Sequence, residues 1–258
     1  MSAETYTETY TETYATPSKP VRLIDVSSVQ GVPRHREVAA AGIMGAIIKC
    51  TEGLDGIDRM YAANYRGFSD AGIACGTYHY CRPSTKPGVT PEQDAVTEMR
   101  RFYELSDGLG SRHGEIPPVL DFEDLCGQTA AVGAAWIRVA LLEAEQLWQR
   151  RPLLYTGLTV ANALLLFREA TQYDLWLAYY PQQPGKPAMT WDAAEAFGSP
   201  LASRIMAPLP WKGDAWRLWQ FSGGGPGLPG NRVPGIDVEV DCNVFNGNAE
   251  SWARFLAT

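Results

Sequence analysis

The chain has 258 residues, 45% of them hydrophobic and 20% charged, enough for one large α/β domain whose core needs no disulfide or metal. Its net charge of −7, with no long Lys/Arg cluster, argues against a nucleic-acid partner. No apolar run approaches the ~20 residues that cross a bilayer, so membrane insertion is not expected.

In chain order, residues 4–15 repeat a Glu-Thr-Tyr-Thr unit three times, the last ending in Ala15, and Pro17 and Pro20 follow. This composition reads as a disordered tail over 1–20, ahead of one folded domain over 21–258. Met1 to Thr16 is polar and acidic, without the apolar stretch of a secretory signal peptide. VRLIDV (21–26) then reads as a strand, 36–42 as a short helix and GAIIKC (45–50) as a second strand. Tyr61, Tyr65 and Phe68 recur at spacings of four and three, which predicts a helix over 58–71 capped by Asp58. ACGTYHY (74–80) is a third strand. Pro91 and Glu92 open a helix with Val96, Met99 and Tyr103 inward.

PPVLDFE (117–123) is the fourth strand, 129–149 a long Ala/Leu-rich helix, PLLYTG (152–157) the fifth strand and 158–168 another helix. DLWLAYY (174–180), WRLWQFS (216–222) and VEVDCNVF (238–245) complete eight strands. The Pro- and Gly-rich stretches 181–215 and 222–235 show no clear helix between the last three. Strands alternating with helices give a mostly parallel sheet, and eight of them fit an incomplete β/α barrel. Such barrels carry their chemistry at the C-terminal strand ends.

The five cysteines, Cys50, Cys75, Cys81, Cys126 and Cys242, lack C-x-x-C and zinc spacing and read as reduced, mostly buried thiols. Cys75 and Cys81 are held apart by the strand between them. Nucleophile-elbow, P-loop and dinucleotide-binding motifs are absent.

Polar residues fall near one end of the strands: Asp25, Glu52, His79, Asp121 with Glu123, Tyr155, Tyr179, Gln220 and Asp241. Asp121 and Glu123 are two apart, so on a strand they share a face, their Cα atoms ~6.6 Å apart at ~3.3 Å per residue. Carboxyls that close repel, so one keeps its proton near neutral pH beside an ionised partner. Glycosidic cleavage needs such a pair: one group protonates the leaving oxygen, the other stabilises positive charge. A surface acidic pair, or a Mg²⁺ or Ca²⁺ site built from Asp25, Asp121, Glu123 and Asp241, fits the same spacing. Tyr78, Tyr80, Tyr155, Trp176, Tyr179, Tyr180, Trp216 and Trp219 gather at or beside strand ends, where they could stack on sugar rings or fill the barrel.

Together, IDVSSVQG (24–31), AIIKCTEG (46–53), Asn64 to Phe68, AGIACGTYHYCRP (71–83), PVLDFED (118–124), LLYTG (153–157), LWLAYY (175–180), LWQFS (218–222) and PGIDVEVDCNVF (234–245) resemble the Chalaropsis-type lysozymes, glycoside hydrolase family 25. The resemblance implies a flattened, incomplete TIM-like (β/α)5(β)3 barrel. It implies an N-acetylmuramidase that cuts the β-1,4 bond between N-acetylmuramic acid and N-acetylglucosamine, with no cofactor and no metal. It makes Glu123 the general acid/base, Asp121 the carboxylate that orients the substrate acetamide, and Asp25 and Asp241 further acids of the groove. Glu52, His79, Tyr80, Tyr155, Trp176, Tyr179, Trp219 and Gln220 are the candidate substrate contacts. The implied mechanism is substrate-assisted with retention. The carboxyl spacing taken alone would instead suggest inversion, a rule that lapses when the substrate supplies the nucleophile. The expected partner is bacterial peptidoglycan, bound by a monomer that reaches the wall through a phage pore or a dedicated secretion machine. An inactive glycan-binding barrel, and a hydrolase of another N-acetylated glycan such as chitin, are the competing readings.

Overall fold

Eight strands of one sheet close on themselves in the computed structural model, which describes residues 21–84, 87–163, 168–181, 187–204, 211, 216–223 and 230–258. The repeat tail at 1–20 lies outside the described residues. The strands are β1 (Arg22–Val26), β2 (Ile43–Glu52), β3 (Gly56–Ile57), β4 (Ala74–Tyr80), β5 (Val119–Asp121), β6 (Leu153–Gly157), β7 (Leu175–Ala178), β8 (Trp216–Ser222) and β9 (Asp241–Phe245). β3 is a two-residue hairpin partner of β2 and stands outside the closed ring. The barrel order is β1-β9-β8-β7-β6-β5-β4-β2, and β1 pairs with β2 to close it. β1, β2 and β4 to β8 are mutually parallel, and β9 runs antiparallel to both its neighbours.

The crossover helices are α1 (His35–Ala40), α2 (Tyr61–Asp70), α3 (Pro91–Leu105), α4 (Ala130–Trp148), α5 (Leu158–Ala163) and α6 (Trp191–Arg204), and α7 (Ala249–Ala257) ends the chain. α3 starts where Pro91 predicts, with Thr90 and Gln93 forming a reciprocal capping box. Asp58 does not cap α2. Its carboxylate accepts from the backbone N–H of Ser28 at 2.7 Å and of Met60 at 2.8 Å, tying the loop after β1 to the loop before α2. α6 is a correction to the sequence reading, which expected no regular helix before β8. Composition masked a spacing of three that places Trp191, Ala194 and Phe197 against the sheet.

Side chains of alternating parity separate two cores. Those pointing outward pack under the helices, including Ile24, Ile48, Leu120, Leu154, Leu177 and Phe122. Those pointing inward, including Leu23, Ile47, Val119, Leu153 and Leu218, fill the lower barrel. α7 closes the bottom with Trp252 and Phe255, whose rings lie 5.1 and 5.4 Å from that of Phe245. Burial of one such aromatic contributes about 1.5–3 kcal/mol. A Cβ on Gly45 would come within 2.7 Å of Leu23 and 3.2 Å of Trp252, so glycine makes room for this plug. With the lower end filled, the open cavity lies at the other rim.

Candidate active site

Seven of the barrel strands are parallel, so their C-terminal ends share one rim. Asp241 reaches that rim by the opposite route: it opens β9 rather than ending it, and the antiparallel register sets it directly across from Asp25. Asp25, Lys49, Tyr78, Tyr80, Asp121, Glu123, Tyr155, Trp176, Gln220 and Asp241 line a cavity of about 180 Å³. Tyr80, Asp121, Tyr155 and Trp176 are successive partners across β4, β5, β6 and β7. β5 stops at Asp121, so Glu123 lies just past the strand. The ladder continues one bond further, from Phe122 N–H to Tyr155 C=O at 2.9 Å. Phe122 is buried against Trp136, which leaves Glu123 on the cavity side, exposed at its mouth.

Beneath that mouth is a hydrogen-bonded floor. Asp25 is only 7% exposed, and its Oδ2 accepts from Gln220 Nε2 at 2.9 Å and Asn243 Nδ2 at 2.8 Å. The Gln220 amide is oriented by the hydroxyls of Tyr155, at 2.7 Å, and Tyr180, both donating to its Oε1. Trp176 Nε1 donates to Asn243 Oδ1 at 2.8 Å and fixes the second amide. Gly223 permits the Tyr180 contact, because a Cβ there would come within 2.9 Å of the Tyr180 hydroxyl.

Three carboxyls in this space, Asp25, Asp121 and Glu123, hold protons above their ordinary range. Burial raises the pKa of Asp25 most, and the neighbouring charge of Asp241 adds to it against the two amide donors. Burial also dominates at Asp121, followed by the charges of Glu123 and Asp25. Glu123 is raised by desolvation, opposed by a hydrogen bond from Tyr80 and reinforced by Asp241. Asp121 Oδ1 is buried and has no hydrogen-bond partner among the described residues. A buried carboxylate oxygen without a donor is costly alone and fits an N–H brought by a ligand. The arrangement thus offers a proton donor at the mouth and a vacant acceptor below it.

Several expected contacts lie elsewhere. His79 is 0% exposed; its Nδ1 pairs with Thr51 at 2.8 Å and its Nε2 with Glu98 at 2.7 Å. It points outward between Tyr78 and Tyr80, so it cannot touch a substrate. Trp219 is also 0% exposed, on the helix side of β8, donating to the Tyr179 carbonyl at 2.8 Å. Tyr179 packs on the same outer core, and its neighbour Tyr180 takes the inward place. Glu52 lies outside the cavity lining, between Lys49 at 2.7 Å and Arg82 at 2.6 Å. An irregularity between Lys49 and Thr51 breaks the alternation of β2 and carries Glu52 to the rim. Lys49 and Asn243 were missed, although each sits two residues from a buried inward neighbour, Ile47 and Phe245. All five cysteines are free and four are buried. Among the described residues, no His, Cys, Asp and Glu side chains group to hold a metal ion, and no helix is long and apolar enough to cross a membrane.

The profile of the family described as "Glycosyl hydrolases family 25" matches residues 24–227. Lysozyme M1 of Streptomyces globisporus is 30% identical over 244 residues, covering 92% of this chain and 70% of that protein. The uncharacterized protein YegX of Escherichia coli K12 is 28% identical over 214 residues, covering 82% of this chain and 62% of its own length. The crystal structure of the bacterial lysozyme from Streptomyces coelicolor matches with a TM-score of 0.71 at 26% identity, over 93% of this chain and 97% of that one. A family 25 lysozyme from Aspergillus fumigatus shares the fold, with a TM-score of 0.67 at 22% identity, over 93% of this chain and 100% of its own.

Proposed function

The chain belongs to glycosyl hydrolases family 25 and is a lysozyme-like glycosidase acting on peptidoglycan, and on that premise we propose how its rim cavity cuts the glycan. The bond is the β-1,4 link that follows N-acetylmuramic acid. Glu123 gives its proton to the glycosidic oxygen as the bond breaks. Asp121 Oδ1 accepts the N–H of the muramic acetamide and turns the acetamide oxygen toward the anomeric carbon. That oxygen attacks from the opposite face and forms a cyclic intermediate with its positive charge near Asp121. Glu123, now ionised, takes a proton from water as the water opens the ring, giving net retention. The Asp25–Asp241 pair places negative charge beneath the sugar, and Tyr80, Tyr155 and Trp176 shape the walls.

The observation that carries this reading is the placement of an exposed Glu123, its pKa raised by desolvation, above the partnerless buried oxygen of Asp121 in one cavity. Glu123→Gln should remain folded and lose about 10²–10⁴ in rate, read as clearing of a purified wall suspension. Activity near that of the unaltered enzyme would remove Glu123 from the acid role. NMR of the first-formed anomer tests the stereochemistry: β is expected, and an initial α product would exclude the acetamide as nucleophile. Binding of walls without release of reducing ends would mark the barrel as a glycan-binding module.

A further inference from the structure

Four carboxyls and one ammonium share the cavity lining. Lys49 Nζ lies 2.7 Å from Glu52 Oε2 and 5.1 Å from the centre of the Tyr80 ring. It is the one cationic side chain among the described residues that line the cavity. Glu52 Oε1 in turn accepts from Arg82 Nε at 2.9 Å and Nη2 at 2.6 Å, and the Arg82 guanidinium lies 4.8 Å from the Tyr80 ring. Lys49 is therefore tethered from outside the cavity and presented to its interior.

The groups around it are Asp25 from β1, Glu52 from its own strand, Tyr78 and Tyr80 from β4, Arg82 beyond β4, Asp121 and Glu123 at the end of β5, and Asp241 from β9. Of these, Asp121 is buried and Glu123 is open to solvent. A positive charge acts more strongly on the buried neighbour, because water screens the exposed one. We propose that Lys49 is a positioning residue whose ammonium, anchored by Glu52, holds negative charge on Asp121 and so decides which member of the Asp121–Glu123 pair keeps the proton. The proposal rests on the roles given above to those two residues. It also explains Glu52, which serves the site through Lys49 and not as a sugar ligand. Consistent with this geometry, Lys49 pulls the carboxyls of Asp121 and Glu123 toward ionisation, whereas Glu52 pushes Asp121 the other way.

The test is the pH profile of kcat/KM on soluble glycan fragments for the full chain. Lys49→Met should move the acidic limb, set by Asp121, upward by about one pH unit, and the alkaline limb, set by Glu123, upward by less. Lys49→Arg keeps the charge and should restore the original limbs. Lys49→Gln removes the charge but keeps a polar side chain, and should move the acidic limb upward as Lys49→Met does. A Lys49→Met enzyme with reduced rate but unmoved limbs would reduce Lys49 to a packing role and overturn the proposal. If Lys49→Met does not fold, Lys49→Gln decides alone, and an unmoved acidic limb overturns it. Failure of the underlying reading looks different: the unaltered enzyme would not cleave, or Glu123→Gln would stay active.

Discussion

Replacing Asp121 with Asn should stabilise the protein at neutral pH while disabling it. Asp121 is buried, one of its oxygens lacks a donor, and it stands two residues from Glu123. Burial is the largest cause of its raised pKa, and a buried acceptor left unsatisfied costs about 1–3 kcal/mol. The asparagine amide would also donate toward the neighbouring carboxyls. The folded-state pKa of Asp121 is raised, so its contribution to stability is complete below the ordinary aspartate value and is lost as pH rises through the raised one. The unaltered enzyme therefore loses stability on going to neutral pH, and Asp121→Asn avoids that loss. For a chain of this size, about 1 kcal/mol is about 2–4 °C in Tm. Thermal unfolding followed by circular dichroism at pH 7 and pH 3 should show the gain at pH 7 and its disappearance at pH 3. A variant that melts lower at pH 7, or that keeps the same gain at pH 3, would refute the electrostatic account.

Other outcomes follow from the packing and hydrogen bonding. Gln220→Leu removes the acceptor for the Tyr155 and Tyr180 hydroxyls and one of two donors to Asp25; it should cost about 1–3 kcal/mol in urea unfolding, with a loss of wall clearing. Trp252→Ala takes the plug from the lower barrel and should cost about 3–5 kcal/mol by the same measurement, with lysis by the remaining folded fraction preserved. Asp121→Asn itself should lower the clearing rate nearly as far as Glu123→Gln, since in the proposed mechanism it removes the charge near the positively charged intermediate.

Parity and direction decide which end of the sequence reading transfers to the site. Alternating elements pointed to a barrel, and the spacing of Asp121 and Glu123 placed two carboxyls on one face. Asp25 and Gln220 were also readable as polar residues near strand ends. His79 and Trp219 were not separable from Tyr80 and Gln220 by composition, because neighbours on a strand point to opposite faces. The irregularity in β2 that moves Glu52 to the rim has no signature in residue type. On α3, Asp94 and Glu98 lie on the buried face that periodicity assigned to apolar residues. They are buried because Trp136, Ser84 and His79 come from elsewhere in the chain to bond them.

The sequence by itself therefore determined an eight-stranded barrel of strands alternating with helices, the two-residue pairing of Asp121 with Glu123, and the end of the strands where the candidate carboxyls gather. These follow from local chain geometry: strand period, helix caps and the two-residue spacing of a pleat. Only the tertiary structure decided that β9 runs backwards to bring Asp241 opposite Asp25, that Asn243 and Gln220 hold the buried acid between them, and that Lys49 enters the carboxyl cluster. Those depend on contacts between residues up to 218 positions apart, and no local preference encodes a partner at that distance.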